Sequence, residues 1–185
     1  MRYNRITEGT AVLAMALRFY LCETKVGWIG LAFSARGLWG TTTPQPSGEA
    51  ALWGVTALGA TEPASEAQEG NLPQLLRDYA EGKPVRFDDV SIDWEGVTPF
   101  RRRVLEETRR IPLGETRSYK WLAERVGKQG AARAVGQAMA TNPFPVIIPC
   151  HRVVASDGSL GGYGGGLEVK ERLLRLEGAP GSRRL

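Results

Sequence analysis

Between Thr98 and Pro145 the chain is punctuated for helices so closely that few other folds stay open to it. Thr98 is a side-chain cap, and Pro99 suits a first helical position, where a missing N–H costs nothing. Phe100, Val104, Thr108 and Ile111 then recur on one face until Pro112-Leu113-Gly114 ends the run. Ser118 caps a second helix, residues 119–126, with Gly127 at its stop. A third runs from about 131 to 142 and ends at Asn142-Pro143-Phe144-Pro145, because a residue before proline avoids the α region. Two short helices joined by a tight turn predict a helix-turn-helix. The third helix is rich in small residues (Ala131, Ala132, Ala134, Gly136, Ala138, Ala140), which fits close approach to a partner and tight helix packing equally well.

Beyond it, residues 146–148 read as a short buried strand. A last helix, 167–177, carries Glu168/Arg172 and Glu171/Arg175 at i,i+4 and is closed by Gly178 and Pro180. The first half is written differently. Residues 24–33 have strand composition, 34–37 read as a turn and 38–42 as the return strand. Residues 72–81 predict a helix with Leu72, Leu75, Leu76 and Tyr79 on one face and Gly82 after it. Residues 85–87 and 90–92 are short strand candidates, and 43–68, rich in Pro, Gly and Ala, resists assignment. The expected architecture is α+β followed by α: a small mixed sheet with helix over 1–97, then a helical domain over 98–185.

Charge follows the same division. Residues 1–97 hold 8 basic and 12 acidic side chains, a net of −4, and residues 98–185 hold 16 and 8, a net of +8. A basic domain of this kind fits phosphate or nucleic-acid binding, and ordinary arginine-rich helix surface fits too. Two cysteines and one histidine among 185 residues exclude a disulfide scaffold and leave almost nothing for a metal. No apolar run reaches the roughly 18 residues of a membrane span. The run at 11–17 is cut by Arg18, and Ala14-Met15-Ala16 imitates a cleavage site without the apolar region a signal needs. The expectation is a reduced, cytoplasmic protein away from membranes.

Cys22, in an apolar segment, reads as a small buried hydrophobe. Cys150 differs, standing between a proline and the single histidine, with Arg152 beyond. A thiol reacts as thiolate, so its pKa must fall or a base must help. His151 and Arg152 can each favour the thiolate. In extended backbone neighbouring side chains point apart, so a Cys150–His151 partnership needs a tight turn or a bridging water. Glu177 is the candidate to orient the imidazole. A surface histidine beside a buried cysteine is the plainer alternative. The segment 156–166 is glycine-dense but lacks the Gly-Lys-Ser/Thr of a phosphate loop. It suits main-chain approach to a planar ligand, or a flexible connection.

Pro149-Cys150-His151-Arg152-Val153-Val154, with Asn142-Pro143 before it and Gly162-Tyr163-Gly164-Gly165-Gly166 after it, resembles the O6-alkylguanine-DNA alkyltransferases. The likeness runs through Ser118-Tyr119, Ala131-Ala132-Arg133-Ala134-Val135-Gly136 and 167–178, and so covers the second half of the chain. The first half is similar only in size and character. The resemblance implies a ribonuclease H-like first domain and a winged-helix-like second one. It implies stoichiometric, irreversible transfer of an alkyl group from O6-alkylguanine in duplex DNA to Cys150, with O4-alkylthymine a further candidate substrate. It also implies minor-groove binding, rotation of the damaged nucleotide out of the stack, a monomer and no cofactor.

By the same resemblance, His151 takes the thiol proton through a water, Glu177 holds the imidazole and Asn142 braces the turn. Tyr119 assists phosphate rotation and donates to guanine N3, and Arg133 fills the vacated stack. Ser118, Ala132 and Arg152 join the DNA contacts. Met139, Pro145, Val153, Tyr163, Gly164 and Gly165 line the pocket, with the carbonyls of Cys150 and Val153 facing the guanine amine and the Gly164 amide facing O6. Two departures stand out. Position 164 carries a hydroxyl residue in some relatives and is glycine here. Some relatives hold zinc in the first domain with two Cys and two His, whereas here Cys22 is the lone cysteine of that half and no histidine precedes His151, so no zinc is expected. Three other functions compete: a lesion binder without transfer, a cysteine hydrolase or transferase that turns over, and a helix-turn-helix regulator.

Overall fold

Strand β1 (Leu17–Thr24) alternates side chains between two faces, and both faces are covered. Leu17, Phe19 and Leu21 pack around Ala32, Val55 and Ala60. On the other face the Cys22 thiol donates to the Pro73 carbonyl and Arg77 donates to the Tyr20 hydroxyl. Those partners lie on α1 (Gly48–Ala57) and α3 (Leu72–Ala80), so the sheet is sandwiched between two helices. β2 (Gly27–Ser34) and β3 (Gly37–Thr41) continue an antiparallel meander, and β4 (Ala60–Pro63) pairs parallel with β1 at the far edge, giving the order β3-β2-β1-β4. A parallel pair needs a crossover, and α1 supplies it. A one-turn helix, α2 (Glu66–Glu69), precedes α3. The structure, a computed structural model, describes residues 16–179. The apolar run at 11–17 and Ala14-Met15-Ala16 lie mostly, and Pro180 wholly, outside the described residues.

The predicted β2–β3 hairpin and helix α3 are present, with three corrections nearby. Thr24 closes β1 rather than opening β2, and Lys25-Val26 form the turn into Gly27. Residues 85–87 and 90–92 are not strands. Phe87 is buried by ring packing on Tyr79, centroids 5.8 Å apart, and Ile92 makes only a single bridge to Leu38. The unassigned stretch 43–68 holds α1, β4 and the first three residues of α2. α1 escapes a periodicity reading because its large apolar residues point out and its small ones in. Leu52 and Trp53 are exposed, while Ala51 and Val55 are buried. The helix sits so close to β2 that a Cβ on Gly30 would lie 2.9 Å from the Ala51 carbonyl.

The chain parts into two compact units between Gly96 and Val97. In the second, α4 (Pro99–Arg109) starts as the sequence predicts, with the Thr98 hydroxyl accepting from the Arg101 amide. β5 (Arg117–Ser118) leads into α5 (Tyr119–Arg125), where the Ser118 hydroxyl accepts from the Trp121 amide. α6 (Ala132–Ala140) follows, and α4 packs against both α5 and α6. Val104, Leu105, Leu122, Val135, Ala138, Phe144, Ile147 and Ile148 form the buried interior. Each large side chain there contributes about 1.5–3 kcal/mol. β6 (Val153–Val154) pairs parallel with β5, and α7 (Leu167–Leu176) buries Leu173 and Leu174. Residues 146–148 are buried but are not a strand. Val146 has a φ of +73° and turns the chain between Pro145 and Ile148. Among the described residues no helix is long and apolar enough to cross a membrane.

Candidate active site

The site begins where α6 stops. The helix ends at Ala140 with Thr141 as its cap, Asn142 before Pro143 does not continue it, and the Asn142 side chain then holds the next turn at both ends. Its Oδ1 accepts from the Phe144 amide and its Nδ2 donates to the Ile148 carbonyl, both at 3.0 Å. The same side chain favours the Cys150 thiolate. The chain next coils into a single 3-10 turn, Cys150–Arg152. In such a turn successive side chains need not point to opposite faces.

The side chains of His151 and Glu177 are both fully buried and meet at 2.7 Å, Nε2 to Oε1. Arg152 grips the same carboxylate, with Nε on Oε2 at 2.8 Å and Nη2 on Oε1 at 2.9 Å, and its Nη1 donates to the Ile111 carbonyl. Glu177 caps α7 at its C-terminal end, so these bonds tie that helix to the turn. Burial raises the Glu177 pKa, but the bonds from His151 and Arg152 outweigh it and hold the carboxyl at about 2. Because Arg152 neutralises that carboxylate, burial prevails at His151 and pushes the imidazole pKa down. His151 is therefore neutral near pH 7, donating from Nε2 to Glu177 and leaving Nδ1 as its acceptor nitrogen. Burial raises the Cys150 thiol, opposed by Asn142, by the Lys170 charge and by the amides of the 3-10 turn.

The residues expected around this centre divide into groups. Val153 and Pro145 are buried beside the turn, and Met139 is buried with its sulfur 3.6 Å from the Thr108 hydroxyl. The Tyr163 hydroxyl is buried without a protein hydrogen-bond partner among the described residues, and its pKa rises through burial and the nearness of Cys150. Tyr119 is half-buried at the start of α5, with its hydroxyl 3.5 Å from the Gly162 carbonyl. Gly164 is exposed, and a Cβ there would meet only the Ala140 carbonyl at 3.8 Å, so the backbone does not demand glycine. Gly165 is its half-buried neighbour. Ser118 caps α5, Ala132 opens α6, and Arg133 is exposed on its first turn.

Arg152, expected among the DNA contacts, is 7% exposed, and its guanidinium bonds to the Glu177 carboxylate and the Ile111 carbonyl. One residue the sequence reading missed is Lys170, fully buried with Nζ on the carbonyls of Val153 and Leu160. The signal was present: Lys170 falls in phase with Leu173 and Leu174 on the apolar stripe of α7. A cavity of about 470 Å³ opens in the first unit, lined by Arg36, Leu38, Leu72 and Ser91 among others, and holds none of the expected site residues.

Comparison with known proteins points the same way as this geometry. Residues 99–179 match the family model of the 6-O-methylguanine DNA methyltransferase DNA-binding domain. The chain is 40% identical over 133 residues to a methylated-DNA–protein-cysteine methyltransferase of Methanothermobacter thermautotrophicus, spanning 68% of this chain and 74% of that one. It is 50% identical over 104 residues to the protein of the same name from Mycolicibacterium paratuberculosis, 56% of this chain and 62% of that one. Among solved structures, Mycobacterium tuberculosis OGT in complex with DNA superposes with a TM-score of 0.72 at 34% identity, covering 89% of this chain and 96% of that one.

Proposed function

The chain belongs to the methylated-DNA–protein-cysteine methyltransferase family, and from that membership we propose that it repairs O6-alkylguanine in duplex DNA by moving the alkyl group onto Cys150. The observation that carries this reading is the buried Glu177–His151 pair beside Cys150, with Arg152 absorbing the carboxylate charge. That arrangement keeps a neutral imidazole next to a thiol whose environment is rich in donors.

The chemistry balances without a cofactor. His151 receives the thiol proton at Nδ1 through an intervening water, and the sulfur attacks the alkyl carbon in line with O6. The S–C bond forms as the C–O6 bond breaks, and the electron pair leaves with guanine. Tyr119, donating toward N3, and the Gly164 amide, facing O6, stabilise the charge that develops there. The carbonyls of Cys150 and Val153 accept from the guanine amine. The thioether is stable, so one molecule repairs one lesion. The Tyr163 hydroxyl, buried without a hydrogen-bond partner among the described residues, supports a polar ligand there, with Met139, Pro145 and Gly165 as walls.

DNA is held by α5 and α6 in the minor groove. Ser118 and Ala132 stand at the helix starts, and exposed Arg133 fills the space left by the rotated nucleotide, offsetting a few kcal/mol of unstacking. The sheet order with its parallel fourth strand supports a ribonuclease H-like first domain. The α4–α6 cluster beside the β5–β6 pair supports a winged-helix-like second one. We place the protein in the cytoplasm as a monomer, where its free thiols stay reduced. Incubation with duplex bearing O6-methylguanine should add one methylene equivalent to the Cys150 peptide and then stop. Binding without mass gain means a lesion binder, continued product release means a turnover enzyme, and binding indifferent to the lesion means a regulator.

A further inference from the structure

We propose that Lys170 is a positioning residue for this reaction, its buried ammonium clasping the glycine-rich segment to the strand after the nucleophile. The proposal rests on the reading of Cys150 as alkyl acceptor. Lys170 projects from α7 with none of its surface exposed. Nζ donates to the Val153 carbonyl at 2.6 Å and to the Leu160 carbonyl, with the Gly162 carbonyl at 3.5 Å. An ammonium has three donors in a compact head, and here three carbonyls from two separate segments surround it. Among the described residues no carboxylate lies within ion-pair distance of it. A buried cation without a carboxylate is costly, so its retention calls for a task.

The three carbonyls indicate that task. Val153 O is the proposed acceptor for the guanine amine. It has two lone pairs, and Lys170 occupies one, which fixes the direction of the other. Gly162 O also supports the Tyr119 hydroxyl at 3.5 Å, so the clasp sets the seat of the proposed proton donor. Residues 161–166 contain five glycines and one tyrosine, backbone that gains the most freedom when released. The charge acts on the thiol as well. Burial brings the Lys170 amine down to about 8 while Cys150 raises it, and in return Lys170 lowers the thiol. The charged and titratable groups around this cluster are Cys150, His151 and Arg152 on the 3-10 turn, Tyr163 on the glycine-rich segment, Tyr119 on α5 and Glu177 at the end of α7.

The test uses the full-length protein. Carbamidomethylation of Cys150 by iodoacetamide, followed by peptide mass across pH, reads thiol acidity without DNA. In Lys170→Met the midpoint should move to higher pH, while Lys170→Arg, which keeps the charge, should stay near wild type. Transfer from O6-methylguanine duplex at neutral pH should fall about tenfold or more in the Met variant, as expected when a thiol loses about one unit of acidity. A Met variant that melts like wild type with an unchanged midpoint and rate overturns the proposal. If the Met variant does not fold, NMR titration of labelled lysine decides in wild type and Cys150→Ser. Lys170 should titrate near 8 in the first and lower in the second. A value near the ordinary 10.4 or so in wild type overturns it. Because iodoacetamide needs no lesion, failure of the alkyl-transfer reading would show as wild type inert to lesion DNA while the thiol midpoint still depends on Lys170.

Discussion

Cys22 and Cys150 are both buried, and burial is the largest influence raising each thiol. Their surroundings nonetheless have opposite polarity. Cys22 faces acceptors: its sulfur donates to the Pro73 carbonyl at 3.4 Å and lies 3.9 Å from the Glu23 carbonyl, and Glu69 raises its pKa further. Arg77 is the one group there that favours the anion, and it is also bonded to the Tyr20 hydroxyl. Cys150 faces donors: the Asn142 side chain, the backbone amides of its own turn and the Lys170 charge. What separates a structural thiol from a reactive one is the sign of the dipoles aimed at the sulfur, at similar burial.

The largest test of that contrast exchanges the two sulfurs. Cys150→Ser should abolish transfer while duplex binding persists, measured by peptide mass and by a binding titration. Cys22→Ala should transfer within about twofold of wild type and lose roughly 1 kcal/mol of stability in a denaturant melt, the usual scale of a small core truncation. Transfer to Cys22 in the serine variant would show that donors do not decide reactivity.

Glu177→Gln sharpens the comparison by removing the charge on which His151 and Arg152 both rest, a group Cys22 lacks. Transfer should fall about a hundredfold, the scale of a lost general base. Stability should fall by about 3–5 kcal/mol, because Arg152 is left as an uncompensated buried cation. Full activity in this variant would exclude the His151–Glu177 pair from the chemistry.

Acid titration probes the same network without mutation. Glu177 ionises at about 2 in the folded protein against 4.5 ordinarily, so its contribution is complete above 4.5 and lost as pH falls toward 2. The size is about 3 kcal/mol. His151 adds to the trend earlier. Its folded pKa is depressed, so the unfolded chain takes up the proton first, and stability starts to drop as pH falls through 6.5. Denaturant melts from neutral to acid pH should show wild type losing stability while Glu177→Gln shows a flatter profile.

Much of the second unit was legible because its signals are local. Thr98 and Ser118 cap the predicted helices with the expected hydrogen bonds, and Pro143 stops the third within two residues of the predicted end. The first unit hid α1 because Trp53 points outward and Ala51 inward, the reverse of an amphipathic stripe. At the site, the sequence flagged Cys150, His151 and Glu177 through scarcity and placement. The Arg152–Glu177 pair was not legible, because only the fold brings residues 25 apart in sequence together. The burial of Lys170 could be read from its phase with Leu173 and Leu174, but its partners could not, because they are carbonyls, which every residue carries.

Gly161 gives the smallest effect and separates thiol chemistry from delivery of the lesion. Its φ is +66°, and a Cβ there would stand 2.9 Å from the Tyr119 hydroxyl. Gly161→Ala therefore strains the backbone by about 1 kcal/mol and pushes Tyr119 from its seat over Gly162. The donors around Cys150 come from Asn142, the 3-10 turn and Lys170, and none of them moves with that ring. Iodoacetamide should accordingly modify Cys150 at the wild-type rate. Transfer from methylated duplex should slow by a few-fold, on the order of one weakened hydrogen bond at the leaving guanine. If both rates fall together, Tyr119 shapes the thiol itself, and the donor shell that distinguishes Cys150 from Cys22 must be extended to include the α5 start.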